Sequence, residues 1–292
     1  MNQAKMRRIT EIRRAIQEMG NLPTLPNVAL EVMRLTQDPK STIPDLVRIV
    51  EKDVALASSI LRAANSAYYG VPRKIDTMKM AVVILGMNEI INLVMGVSVF
   101  KTFGDSGGSD DFDMKLFWQH SAAVGDLTLA LYQGFRLPVP SSGYITGLLH
   151  DVGKLILFQF FNDLFKEVLE VTEGDSVLTT DAEIEALVVD HGHIGAWLIQ
   201  RWNLPEDIVS AVAQHHIRSS DVTEDSLSVF VEWADRLTHL LKENTSEKVC
   251  AIVNADEKWT NWKPRGKHSI DELIDTFSEK YENSKNILEI VE

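Results

Sequence analysis

Leu46-Val47-Arg48-Ile49-Val50-Glu51-Lys52-Asp53-Val54-Ala55-Leu56-Ala57-Ser58-Ser59-Ile60-Leu61 is the stretch whose reading decides the fold class. Its apolar residues fall at 46, 49, 50, 54, 56, 60 and 61, the spacing of a helix with one buried face. Val28, Val32 and Leu35 repeat that spacing just upstream. No series of alternating strands separated by hairpin turns occurs, so the reading is all-α. Punctuation supports it. Leu22-Pro23-Thr24-Leu25-Pro26 halts a first helix and starts a second, and Asp38-Pro39 ends that one. Ser41-Thr42-Ile43-Pro44 supplies an N-cap with proline near the first turn. Gly70-Val71-Pro72 closes the helix containing Ala63-Ala64-Asn65-Ser66, where Asn65, Ser66 and Gly70 read as helix terminators. A further helix is expected from Thr77 to Phe103, with a break near Gly86.

The chain has 292 residues, a formal charge of −13, 45% hydrophobic residues and one cysteine, which is an ordinary globular composition. Lone Cys250 makes no internal disulfide and reads as a packing residue. The N-terminus lacks the apolar segment of a signal peptide, and no apolar run is long enough to span a membrane, so a cytoplasmic protein with no membrane partner is expected. The acid excess disfavours nucleic acid, and Arg7, Arg8, Arg13 and Arg14 read as the solvated face of the first helix. No glycine-rich phosphate loop is present.

Gly104 to Asp111, eight residues of Gly, Ser and Asp, read as a linker between two helical blocks. Seven of the eight histidines lie in the second block, before a polar segment around Trp259 and Trp262 and a terminal helix near Ile270 to Ile290. The tryptophans read as packing of the tail onto the body.

His120 shares the stripe Leu116, His120, Val124, Leu127; His191 shares Ile184, Leu187, His191, Ile194, Leu198. His150, Asp151 and Lys154 are spaced to project toward one site, and His215 and His216 end a helix that begins at Pro205. Asp235 follows Val231 by four residues. One histidine on an apolar stripe is ordinarily a hydrogen-bonded core residue. Several, with buried carboxylates, need partners that a shared metal centre built from facing helices would satisfy at once. Without thiolates the donors suit iron, manganese, zinc or nickel, and a cysteine-rich zinc site is excluded. His193, about 200° round the helix from His191, is expected to face away, and His239 and His268 are expected on the surface. Ser121 beside His120 does not imply a nucleophile, because adjacent helical residues diverge.

The ordered set His120, His150-Asp151, Lys154, His191, His215-His216, Asp235 resembles the ligand series of HD-superfamily metal phosphohydrolases, especially the binuclear HD-GYP phosphodiesterases. The wider chain resembles the HDOD family, the HD-related output domains of bacterial signalling proteins. The supporting text includes Leu22-Pro23-Thr24-Leu25-Pro26, Ile60 to Ala67, Gly147 to Lys154, His191 through Gly195-Ala196-Trp197-Leu198, and Trp202-Asn203-Leu204-Pro205 running to His215-His216. The resemblance implies an HDOD domain over residues 15–217, with a helical subdomain at 15–103, an HD-like bundle at 112–240 that overlaps its end, and a C-terminal helical extension at 241–292. It also implies that Asp151 bridges two divalent metal ions, iron or manganese ahead of zinc or nickel. His120 and His150 with Asp235 would hold one and His191, His215 and His216 the other, although the sequence leaves open which ion Asp235 serves. Asp151 and Lys154 are the catalytic candidates, Lys154 standing behind the metals or on a substrate phosphate.

Two departures qualify the enzymatic side. Ile217-Arg218-Ser219-Ser220-Asp221 follows the His-His doublet where the phosphodiesterases have an acidic residue and Gly-Tyr-Pro, and Leu116 stands where some relatives have a metal-binding glutamate. A third metal is therefore not expected. The implied function is a signalling output module with a binuclear site and a signalling-protein partner. The alternative is a metal-dependent phosphohydrolase or phosphodiesterase acting on a phosphorylated small molecule, a nucleotide or cyclic dinucleotide. No receiver, kinase or cyclase region fits this length, so input is expected from another protein or from the metal site.

Overall fold

The structure, a computed structural model, describes residues 3–66, 68–103, 112–171, 180–216, 226–255 and 269–284. Every regular element of two or more residues among them is helical. The expected linker at 104–111, Trp259, Trp262 and His268 lie outside the described residues.

The opening stretch is two helices rather than one. α1 (Gln3–Glu18) and α2 (Asn27–Gln37) are followed by α3 (Ile43–Val50) and α4 (Val54–Ala64). The apolar spacing runs through the break because both helices turn the same side inward. Leu46, Val50, Leu56 and Ile60 are buried, whereas Val54, first in α4, is 80% exposed. Asp53 makes the break: its carboxylate caps α4 by accepting the Leu56 amide N–H at 2.9 Å. At the start of α3, Thr42 donates its backbone N–H to Asp45 at 3.2 Å and Pro44 occupies the first turn, as expected from Ser41 to Pro44.

α5 (Met78–Leu85) and α6 (Met87–Phe103) are separated at Gly86, whose φ of +94° suits glycine, and the two axes bend by 118°. No single described helix is long and apolar enough to cross a membrane; this bent pair passes by length and composition, and most of it is packed in a core. Asn65 does more than end α4. Its side-chain amide donates to the Leu61 and Ile75 carbonyls at 2.7 Å each and accepts the Ile75 N–H at 2.7 Å, tying down the loop before α5. α2 to α6 enclose one core around Val32, Leu46, Ile60, Ile75, Ile90 and Val94.

The second part is α7 (Met114–Gly134), α8 (Gly143–Leu149), α9 (Val152–Phe160), α10 (Asn162–Val171), α11 (Thr180–Leu187), α12 (His191–Arg201), α13 (Glu206–Gln214), α14 (Leu227–Glu243), α15 (Ser246–Ala255) and α16 (Ile270–Ser284). α7 is the spine. It packs against α8 on one side and α14 and α16 on others, and takes part in two cores. One extends through α8 to α13 and includes α1. The other joins α7 to α14, α15 and α16 through Leu127, Leu131, Phe230, Leu237, Val249, Ile274 and Phe277. The N-terminal segment is clamped to the end of α12: Arg201 donates to the Ile16 and Met19 carbonyls at 3.0 and 2.6 Å, and the Trp202 indole N–H to the Pro23 carbonyl at 2.8 Å.

Candidate metal centre

Four helix ends and two helix faces build the site. α7 supplies His120, and α14 supplies Asp235. The bend between α8 and α9 supplies His150 and Asp151, Asp151 being the residue from which α9 starts. This bend presses on α12: a Cβ on Gly153 would overlap the His191 carbonyl oxygen and lie 2.8 Å from the Gly195 amide nitrogen. His191 is the first residue of α12, and His215 and His216 follow α13, which is entered from Pro205 as expected. Two expected stripes need correction. Ile184 is 46% exposed and α11 stops at Leu187, because Val188 with φ +68° turns the chain before α12. Leu116, on the His120 stripe, is also half exposed, whereas Val124 and Leu127 are buried.

The chain folding brings all seven expected ligands together, in two sets with Asp151 between them. Asp151, His191, His215 and His216 form the first and His120, His150 and Asp235 the second, the donor atoms of each set lying within 4.8 Å of one another. Asp151 faces both. Its Oδ1 is 2.9 Å from His191 Nε2 and 3.9 Å from His215 Nε2; its Oδ2 is 3.4 Å from His150 Nε2 and 3.8 Å from His120 Nε2. Asp235 belongs with His120 and His150, its Oδ1 at 3.0 and 3.7 Å from their Nε2 atoms. Lys154 Nζ is 2.7 Å from Asp151 Oδ2.

The tautomers are set from behind. His150 Nδ1 donates to the Gly147 carbonyl at 2.7 Å and His215 Nδ1 to the Val212 carbonyl at 2.6 Å. His191 Nδ1 donates to Glu183 Oε2 at 2.7 Å. For His150 and His215 this leaves the Nε2 lone pair aimed inward, and His191 Nε2 stands 3.0 Å from His216 Nε2 and 3.3 Å from His215 Nε2. His120 Nε2, His150 Nε2, Asp151 Oδ1 and Asp235 Oδ1 are buried without a hydrogen-bond partner despite these close approaches. Converging lone pairs and carboxylates repel unless a cation sits among them, so the donor sets fit a metal ion.

Most of the protonation tendencies agree with that arrangement. Burial opposes ionisation of Asp151, yet His150, Lys154 and His191 around it hold its carboxyl well below the usual carboxylate range. Asp235 is likewise held low against burial by its histidine neighbours. Burial drives His120 and His215 down, and His216 to about 2 with help from His215 and His191. His191 alone among the expected ligands is carried upward, to about 9, because Glu183 and Asp151 outweigh its burial. Burial opposes the charge of Lys154 as well, but Asp151 raises its pKa.

Two contributors were not legible as such in the sequence. Glu183 is fully buried and accepts both the backbone N–H and the Nδ1–H of His191 at 2.7 Å. Its signal is slight: it stands four residues before buried Leu187, on a stripe adjoining the one that included Ile184. His239, expected on the surface, is 58% exposed but reaches Asp235 Oδ1 at 3.3 Å and stands beside His120. Its spacing of four from Asp235 on α14 was the available sign. His193 does face away, its Nδ1 2.7 Å from Asp190 Oδ1. Ser121 is buried at 0% exposure, and Cys250 is half-buried against the α7–α14 core, where burial first and then Asp271 push its thiol up to about 11.

The model of the HDOD domain matches residues 22–218. A protein of uncharacterised function from Treponema pallidum (strain Nichols) is 28% identical over 200 residues, 68% of this chain but only 38% of that relative. Among solved structures, an HDOD domain protein of unknown function from Geobacter sulfurreducens superposes with a TM-score of 0.78 at 22% identity, covering 98% of this chain and 96% of the other. A candidate phosphohydrolase from Shewanella amazonensis SB2B superposes at 0.74 and 20% identity, covering 96% and 98%. At these identities the structural likeness is one of fold. The domain match, which takes in the clamp at Pro23, the His150-Asp151 bend and the His215-His216 doublet, shows that this chain belongs to the HDOD family.

Proposed function

We propose that the chain is a metal-loaded output module of bacterial, cytoplasmic signalling, its centre holding two divalent ions and its output exerted on a protein partner. The observation that carries the metal part is the set of buried, partnerless donor atoms on His120, His150, Asp151 and Asp235, gathered where Asp151 turns one oxygen to each ligand set. Imidazole and carboxylate donors without thiolate support iron or manganese ahead of zinc or nickel. The signalling part rests on family membership and on the absence of a Gly-Tyr-Pro segment from the sequence.

A second reading, a phosphohydrolase or phosphodiesterase, is favoured by one feature. Lys154, 19% exposed at its side chain, and His239 stand on the accessible side of the His120–His150–Asp235 set, where they can meet an anionic oxygen. When bound, a pair of ions would supply a hydroxide from water at neutral pH and neutralise phosphate oxygens. Asp151 would orient both ligand sets, Lys154 would position a substrate phosphate, and the buried His191 and His215 would keep bulk water from the inner side. The fold of the Shewanella candidate phosphohydrolase is compatible with this reading.

Anaerobically purified chain is expected to carry about two ions by elemental analysis. Loaded with Fe²⁺ or Mn²⁺ and offered a panel of nucleotides, linear phosphodiesters and cyclic dinucleotides, it is expected to show no turnover. Turnover lost in both His150→Ala and Asp151→Ala would replace the module reading by the enzymatic one. Absence of stoichiometric metal would defeat both.

A further inference from the structure

The two ligand sets differ in what stands behind them. On the His191 side, Glu183 brings its carboxylate oxygen to within 2.7 Å of Nδ1 and grips the backbone N–H of the same residue. A carboxylate behind a ligating imidazole raises its basicity and locks the ring, and losing such a partner typically costs 10–100-fold in metal affinity. The Nδ1–H groups of His150 and His215 meet neutral carbonyls instead. On the His120 side, the Asp151 oxygen turned toward the set is already held by the Lys154 ammonium at 2.7 Å. An arriving cation there must displace or share that contact and bear the repulsion of a like charge. Asp151 Oδ1 has no ammonium on it and faces His191 Nε2 at 2.9 Å, where an arriving ion takes the place of a proton.

We infer that the sets fill in order, the Asp151–His191–His215–His216 set first and more tightly and the His120–His150–Asp235 set second, with Glu183 the positioning residue behind the tight set and Lys154 the cation that holds Asp151 Oδ2 until the second ion enters. The inference rests on the reading of the cluster as a metal centre. It makes occupancy graded: at limiting metal the chain exists with one ion, and Lys154 is released from Asp151 only on the second step. The number of ions bound, rather than their mere presence, is then the state a partner would read.

The test is titration of the metal-stripped chain with Mn²⁺ under nitrogen, free Mn²⁺ being counted by electron paramagnetic resonance. Two steps are expected, the first at least about 10-fold tighter. His191→Ala should remove the first step and His120→Ala the second. Glu183→Gln keeps an acceptor oxygen and loses the charge; it should weaken the first step about 10–100-fold and leave the second in place. Lys154→Met should strengthen the second step and spare the first, which keeps the order testable if Glu183→Gln does not fold by circular dichroism. A single step of two equal ions, removal of the tight step by His120→Ala, or equal weakening of both steps by Glu183→Gln would overturn the order. Failure of the wild-type chain to bind Mn²⁺ at all would instead overturn the metal-centre reading on which the order rests.

Discussion

Gly153 shows how much of the centre depends on one missing methyl group. The bend carrying His150 and Asp151 can lie against α12 only because residue 153 has no Cβ where the His191 carbonyl and the Gly195 amide stand. Backbone atoms on both sides leave little room for a side chain to yield. Gly153→Ala should therefore cost about 3 kcal/mol, the upper part of the usual range for overpacking. It should also weaken Mn²⁺ binding, because α9 would be pushed from α12 and Asp151 from His191. Urea unfolding and the Mn²⁺ titration would check this, and unchanged values in both would refute it. At this scale the expected ligands were legible as a set rather than singly, since one imidazole on an apolar stripe is ordinarily a core residue and only several of them with carboxylates call for a shared partner. Glu183 was not, because its importance comes from His191, which is brought to it by the turn at Val188.

α7 links the candidate metal centre to the core enclosed by α2 to α6. It carries His120 and, further along, Asp126, whose Oδ2 accepts from the Tyr68 hydroxyl at 3.2 Å. Glu89 on α6 accepts from the neighbouring Tyr69 hydroxyl at 2.6 Å, and Tyr144 on α8 is buried close by. Burial, reinforced by Glu89, pushes the partly buried Asp126 carboxyl up to about 7, against the opposing influence of Lys280 on α16 and of the Tyr68 hydroxyl. The unfolded chain releases this proton near pH 3.9 and the folded chain only near 7, so the folded state binds more protons across that window and stability falls as pH rises through it. Asp126→Asn should keep the Tyr68 contact, flatten that slope and be more stable than wild type at pH 8 by roughly 2 kcal/mol, a figure reduced for partial solvation. Urea midpoints of both proteins at pH 5 and pH 8 would decide it. An equal pH dependence in the two would show that Asp126 is not the responsible group.

In the whole molecule, α7 is covered on its α14 side by α15 and α16. Val249, Val253, Leu273, Ile274, Phe277 and Tyr281 are buried in the same core as Leu127, Leu131 and Phe230. Removing residues 245–292 would strip six buried side chains from that core, at about 1.5–3 kcal/mol each. The sum is comparable with the whole stability of a domain. The shortened chain should lose its cooperative unfolding transition and bind a hydrophobic dye; an unchanged urea midpoint would show that these helices contribute little to the core.

The sequence by itself determined the helical class, the break at Gly86, the helix starts near Thr42 and Pro205 and the identity of the clustered histidines and carboxylates. Those features depend on local periodicity, on φ preferences and on the cost of burying polar groups, all of which are written in nearby residues. It did not reveal the break at Asp53, because the helices on either side bury the same face and the apolar spacing passes through unbroken. Only the tertiary structure decided that Asp235 stands with His120 and His150, that Asp151 divides its oxygens between the two sets, and that His239 and Glu183 touch them. These relations join helices far apart in the chain, and their geometry comes from how α7, α9, α12 and α14 pack, which no spacing along a single helix records.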